Sequence, residues 1–348
     1  MSRIATIMMT ASALGLCGLA SGCGASAETS GDTLKLGAYS VVKEVFDEGI
    51  LPAFAAEWKR KTGREVRFER TYNASGAQAR SIASGLDADV AVLSHAGDMR
   101  QLVAAGRVKS DWDAGPDKGI ISRSLVVIGH RPGNPRAIKD WSDLARPGVG
   151  VLYPDPKTSG GARWNINAIY GAALLESKRT RGGDPDRAAV RERMSRIQAN
   201  VVNMDPSGRQ SVANFERGTG DAVVTYENEL LLRRKAGQEI AYVIPPATLL
   251  IESPAAIVES SVARHRNRAV AEAFLAFLRS ADGQRILAEY GFRPVRPGDS
   301  GTGTDAPALL PPGVFTMADL GGWDAVKHEV YGPAGIWTSI FTAQAKAR

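Results

Sequence analysis

Three short stretches of this chain carry residues suited to holding an anion. In "PDPKTSGGARWN", Ser159, Gly160 and Gly161 stand in front of a run with helical character. Adjacent glycines weaken a helix, so their place at its entrance needs a reason. The first N–H groups of a helix have no partner within it, and the aligned peptide dipoles add partial positive charge there. With no Cβ in the way, an anion can approach such N–H groups closely. Ser159 can cap the helix or offer its hydroxyl, and a cap on a tight turn is the purely structural alternative. The pattern recurs. "TYNASGAQAR" holds Ser75-Gly76 and "NMDPSGRQSVANF" holds Ser207-Gly208, each between a strand-like and a helix-like run. Three Ser-Gly entrances point to several helix N-termini aimed at one anion.

Other chemistries lack their usual parts. No G-x-S-x-G elbow, Walker phosphate loop or G-x-G-x-x-G fingerprint occurs. His328 opens "HEVYG" like a zinc-protease helix but has no second histidine after it. His95, His130 and His265 lie far apart in sequence, so solvated or locally hydrogen-bonded rings are expected, not metal ligands. We therefore expect no catalytic residues, no metal and no cofactor. The net charge is +6, but the basic residues are scattered, with no basic stripe interleaved with aromatics. That argues against nucleic acid as a partner.

The elements that must position these residues can be read from hydrophobic periodicity. "LKLGAY", "EVRFERTY", "ADVAVLS", "SLVVIGH", "GVGVLYP", "DAVVTYE", "AYVIPP" and "PAAIVES" read as strands. Phe46, Ile50, Leu51, Phe54 and Trp58 recur at helical spacing before a stop at Gly63, and "GAQARSIASGL", "AVAEAFLAFLRS" and "GQRILAEYGF" read as helices. Alternating strands and helices over 348 residues predict two α/β lobes with largely parallel sheets. "RPGDSGTGTDAPALLPPG" reads as an exposed connector.

The N-terminus carries an export signal. Arg3 precedes "IATIMMTASALGLCGLASGC", an apolar run rich in small residues and too short to favour a permanent span. Cleavage before Cys23 fits a bacterial lipoprotein signal, although Ala20 stands where that pattern prefers Leu. Cleavage after Ala25-Ser26-Ala27 would instead release a soluble periplasmic protein. Cys17 lies within the signal, leaving Cys23 as the lone cysteine of the exported chain, with no intramolecular disulfide. A single thiol in an oxidising compartment is a liability unless it is used, which favours lipidation at Cys23.

At the three Ser-Gly entrances the chain resembles the sulfate-binding proteins that serve bacterial sulfate/thiosulfate ABC importers. "PDPKTSGGARWN" is close to a specific signature of that family. "SGAQARSIASGLDADVAVLS", "GNPRAIKDWSDLARPGV", "FERGTGDAVVTYENE" and "FTMADLGGW" follow in the family's order. The resemblance spans nearly the whole exported chain. It implies a periplasmic-binding-protein-like (type II) α/β fold whose two lobes close over a dehydrated tetrahedral dianion. The implied layout is a signal peptide over residues 1–22, a lipidated linker over 23–33, a first lobe over 34–122 and 251–297, and a second over 123–250. Residues 298–348 then form a connector and C-terminal helical segment.

The resemblance also implies a site. Ser75 would line the first lobe, with Ser159, Gly160, Gly161 and Gly208 on the second. Ser40 stands where the family has Asp, and its backbone N–H can still serve. Gly208 stands where the family commonly has Ala, and Arg209 would brace the loop behind the anion, a surface charge being its bland alternative. Tyr226 replaces a family Trp whose N–H donates to the anion. A Tyr hydroxyl can also accept, which bears on selectivity. The implied protein is a non-enzymatic monomeric receptor on the outer face of the cytoplasmic membrane. It would deliver sulfate to permease subunits with a cytoplasmic ATPase. Thiosulfate, phosphate or molybdate is the alternative ligand, and a secreted two-lobed transferase the more distant one.

Overall fold

The chain forms ten strands of one continuous sheet, most of them largely buried, seen in a computed structural model that describes residues 32–296 and 310–347. Cys23, the signal segment and most of the Pro/Gly-rich connector lie outside the described residues. Strand β1 (Asp32–Tyr39) pairs in parallel with β2 (Val66–Asn73) and β3 (Val90–Val92). On the other side of the molecule, β5 (Val151–Leu152) pairs in parallel with β6 (Val201–Asn203) and β7 (Ala222–Tyr226).

The two parallel sets are joined by β4 (Ile120–His130) and β9 (Thr248–Ile257). These long strands pair antiparallel with each other, β9 also with β3 and β4 also with β7. β8 (Ala241–Val243) adds to β4, and β10 (Val314–Phe315) to β9. The spatial order is β2-β1-β3-β9-β4-β7-β5-β6. The sheet is therefore mixed, where the sequence pattern predicted a largely parallel one. A chain that leaves the first half and later returns must cross in opposite directions, so the crossing strands run antiparallel. Both are buried along nearly their whole length, which hides the polar alternation that would have marked them.

Helices cover the sheet faces. A single turn, α1 (Lys43–Val45), leads through a wider turn at Phe46–Ile50 into α2 (Leu51–Thr62). Gly63 ends α2 at φ 72°, a left-handed cap that suits glycine. Next come α3 (Ser75–Ala83), α4 (Ala96–Ala104), α5 (Gly160–Arg181), α6 (Arg187–Ala199), α7 (Gly208–Glu216) and α8 (Glu227–Lys235). The chain continues through α9 (Glu259–His265), α10 (Arg268–Leu278), α11 (Ala281–Glu289), α12 (Gly322–Tyr331) and α13 (Ile336–Ala347). Phe54 of α2 meets Phe274 of α10 edge-on at 5.1 Å between centroids, so the expected helical faces do meet in the core. No helix among the described residues is long and apolar enough to cross a membrane.

Candidate anion-binding site

Parallel strands end on one edge of their sheet, and the helices that follow them start there. Ser40 follows β1, Ser75 follows β2, Ser159 follows β5, Ser207 follows β6, and Tyr226 ends β7. Both halves turn that edge toward the same place. The carbonyl of Thr158 accepts the Ala77 N–H at 3.2 Å, and the Thr158 hydroxyl donates to the carbonyl of Pro206 at 2.8 Å. The entrance of α5 thus touches those of α3 and α7. Arg209 closes the ring, its guanidinium 3.5 Å from the carbonyl of Ser40 and 3.4 Å from that of Val41.

Ser159 and Ser207 are helix caps, accepting from Ala162 N–H at 3.3 Å and Gln210 N–H at 3.2 Å. Each satisfies one of the orphan donors of its helix and leaves others free. Among the described residues, the N–H groups of Ser75, Gly160, Gly161 and Gly208 have no acceptor. Ser75 departs from the capping pattern. Its hydroxyl donates to Asp98 Oδ2 at 2.6 Å and accepts the Ser94 N–H at 2.9 Å, while Ala74 takes the cap position. A buried carboxylate is the stronger acceptor, so the Ser75 hydroxyl is committed within the protein and only its N–H is left unpaired.

The glycines differ in what surrounds them. A Cβ on Gly161 would lie 3.3 Å from Ser159 Oγ, 3.5 Å from Tyr226 Cε1 and 3.7 Å from Tyr226 Oη. A Cβ on Gly160 would collide with Ser94 Oγ at 2.8 Å. At Gly208 a Cβ meets nothing within 4 Å, so an Ala would fit. Tyr226 is 3% exposed and its hydroxyl lies 2.7 Å from Ser94 Oγ. That hydroxyl is therefore not in bulk water. Burial, helped by nearby Tyr39, Asp98 and Glu229, pushes it well above the usual phenol range, so it keeps its proton.

Arg209 is not a surface charge. It pairs with Glu229 at 2.8 Å and with Glu44, and it reaches the carbonyls of the turn after β1. Ser94, Asp98 and Trp164 escaped the sequence reading. Trp164 shares its indole N–H between the carbonyl of Ser94 at 2.9 Å and the Ser94 hydroxyl at 3.1 Å. Nothing local in "VLSHAGD" marks these residues. Only the meeting of β3, α4 and α5 gives them a role.

His95, His130 and His265 are hydrogen-bonded, and His95 and His130 are buried instead of solvated. His130 Nδ1 lies 2.9 Å from the Arg131 carbonyl and His265 Nδ1 lies 2.7 Å from Asp89 Oδ1. His95 is fully buried, stacked on Trp323 with ring centroids 4.2 Å apart, and caps α4 by accepting the Asp98 N–H. Among the described residues no group of three or more potential ligands could hold a metal. Burial lowers His95 to about 4, against a weaker opposing pull from Asp98. Below its ordinary value of 6.5 and down to about 4, the unfolded chain thus binds more protons than the folded one. Stability contributed by His95 is present above that window and is lost as pH falls through it. We expect the melting temperature to fall on acidification across it, and less steeply in His95→Asn, which keeps a capping acceptor. Parallel curves for the two proteins would count against this assignment.

The sequence model of the bacterial extracellular solute-binding protein family matches residues 42–293. The chain belongs to that family. Among curated relatives of this solute-binding protein, the sulfate-binding protein of Synechococcus elongatus is 39% identical, the match covering 88% of this chain and 86% of that protein. The thiosulfate-binding protein of Pseudomonas aeruginosa is 32% identical over 87% of this chain and 90% of its own length. Among solved structures, the sulfate-binding protein SubI from Mycobacterium tuberculosis aligns with a TM-score of 0.76 and 36% identity. That match covers 85% of this solute-binding protein and 98% of SubI. The two-lobed α/β expectation is thereby met.

Proposed function

We propose that this protein captures sulfate outside the cytoplasm and hands it to an ABC importer, acting as a receptor and not as a catalyst. The observation that supports the reading is that the N–H groups of Ser75, Gly160, Gly161 and Gly208 are unpaired at helix entrances that touch one another. Ser40, Ser159 and Tyr226 stand beside them, and the named relatives at 39% and 36% identity are sulfate-binding proteins. Sulfate is fully ionised near neutral pH and only accepts hydrogen bonds, so a site of donors suits it. Hydrogen phosphate brings a proton that needs an acceptor, and a buried donor left unpaired costs about 1–3 kcal/mol. Fixed neutral dipoles suffice because hydrogen bonds strengthen where water is excluded. Calorimetric titration of desalted protein with sulfate, thiosulfate, phosphate and molybdate tests the reading. Sulfate should bind most tightly. A clear preference for thiosulfate, the ligand named for the Pseudomonas relative, would replace sulfate as the cargo, and turnover of a sulfate ester would revive the transferase.

Tyr226 provides a direct check. Tyr226→Phe removes one donor to a charged ligand, so sulfate affinity should fall by about 1.5–3 kcal/mol, roughly 10- to 150-fold. Equal affinities would remove Tyr226 from the site.

Membrane attachment follows from the export signal. Cys23 is the acylated N-terminal residue, and several acyl chains hold a protein at the membrane where one alone does so marginally. Anchored there, the receptor faces the permease subunits directly. Cys23→Ala should move the protein from the membrane to the soluble fraction. A wild type that is already soluble and begins at Glu28 would refute anchoring.

A further inference from the structure

The hydroxyl of Tyr226 raises a question that its position alone leaves open. A phenol can give or take a proton in a hydrogen bond, and a taker would blunt discrimination against protonated oxyanions. The partner of Tyr226 is Ser94, at 2.7 Å, and either hydroxyl can be the donor in that pair. The surroundings of Ser94 decide between the two. Ser94 is fully buried, and its Oγ already receives the indole N–H of Trp164, a group that can only donate. Among the described residues Ser94 Oγ makes no third hydrogen bond. If Tyr226 donated to Ser94, the Ser94 proton would be buried without an acceptor, an arrangement that folded proteins avoid. If Ser94 donates to Tyr226, both of its roles are filled. The Tyr226 proton then has no acceptor among the described residues, and since the Cβ position of Gly161 is 3.7 Å from the phenol oxygen, the anion proposed above is the acceptor it would meet.

We propose that Ser94, held by Trp164, is a specificity-determining positioning residue that fixes Tyr226 as a donor and so keeps the cleft selective for fully ionised oxyanions. The inference rests on the anion site proposed above. The chain of donation runs Trp164 to Ser94 to Tyr226 to ligand. It gives Tyr226 the one-way character that a Trp has by its chemistry.

The test titrates inorganic sulfate and inorganic phosphate into wild type, Ser94→Ala and the double variant Ser94→Ala/Tyr226→Phe at pH 7. Ser94→Ala frees a lone pair of Tyr226 to accept the proton of hydrogen phosphate. We expect its sulfate-to-phosphate affinity ratio to fall by about tenfold, mostly through tighter phosphate binding, since a mismatched donor contact has become a matched one. The gain in phosphate affinity should vanish in the double variant, which has no phenol oxygen. A simple loss of packing at Ser94 would weaken both ions together and leave the ratio unchanged, and that result overturns the proposal. Should Ser94→Ala fail to fold, Trp164→Phe removes the one-way donor, and an unchanged ratio there is equally fatal. A wild type that binds neither ion overturns the site itself, and this inference with it. A wild type that binds sulfate, with an unmoved ratio in Ser94→Ala, overturns the inference alone.

Discussion

Gly161→Val should weaken sulfate binding by roughly 10²- to 10⁴-fold while the unliganded protein stays folded. The figure is that of losing access to two adjacent N–H donors, those of Gly160 and Gly161, at about 1.5–3 kcal/mol each for a charged acceptor. The new Cβ would stand 3.3 Å from Ser159 Oγ and 3.5 Å from the Tyr226 ring, in the space the anion must enter. Gly161 has no positive φ, so the substitution strains the backbone little. Gly160 is the poorer test because its Cβ would strike Ser94, confusing lost binding with lost packing. Gly208→Ala is the control. Its Cβ meets open space, so its N–H stays available and affinity should change by less than about threefold, within the usual range for a benign surface change. Calorimetry with the three proteins, beside their thermal transitions without ligand, decides the matter. Unchanged affinity in Gly161→Val would remove the α5 entrance from the site.

The second large effect is expected at Arg209. Its partner Glu229 is 0% exposed, and truncating the arginine leaves that carboxylate buried without its counter-charge. Breaking such a pair costs about 3–5 kcal/mol, more than the pair contributes when intact, because the remaining charge is stranded. Arg209→Ala should therefore lower the denaturant midpoint markedly. Arg209→Ala combined with Glu229→Gln should recover part of the loss by removing the stranded charge. Because Arg209 on α7 also holds Glu44 and the carbonyls after β1, the single variant should weaken sulfate as well, by loosening one side of the cleft from the other. A midpoint equal to wild type would show that Glu229 finds another partner.

How much of this was legible in the sequence depends on the range of the interaction. The helix entrances were legible because capping and dipoles act within one turn. Ser159-Gly160-Gly161 and Ser207-Gly208 declare themselves by residue type, and the structure starts α5 and α7 where they stand. Ser75 looked the same and behaves differently. Its competing acceptor, Asp98, is twenty-three residues away and reaches it only through the packing of α3 on α4. Arg209 pairs with Glu44, 165 positions distant, and no local pattern encodes that contact.

By itself the sequence offered the candidate donors: bare glycines, hydroxyls at strand ends and a phenol at Tyr226, all set by side-chain chemistry and short spacing. The tertiary structure alone decided which way those groups point. The antiparallel pairing of β4 and β9 joins the two parallel sets, and helix starts from both halves touch through Thr158. The polarity of Tyr226 likewise depends on Ser94 and Trp164, which come from β3's end and α5. A hydroxyl's direction is fixed by its buried neighbours, and those neighbours are assembled only when the chain folds.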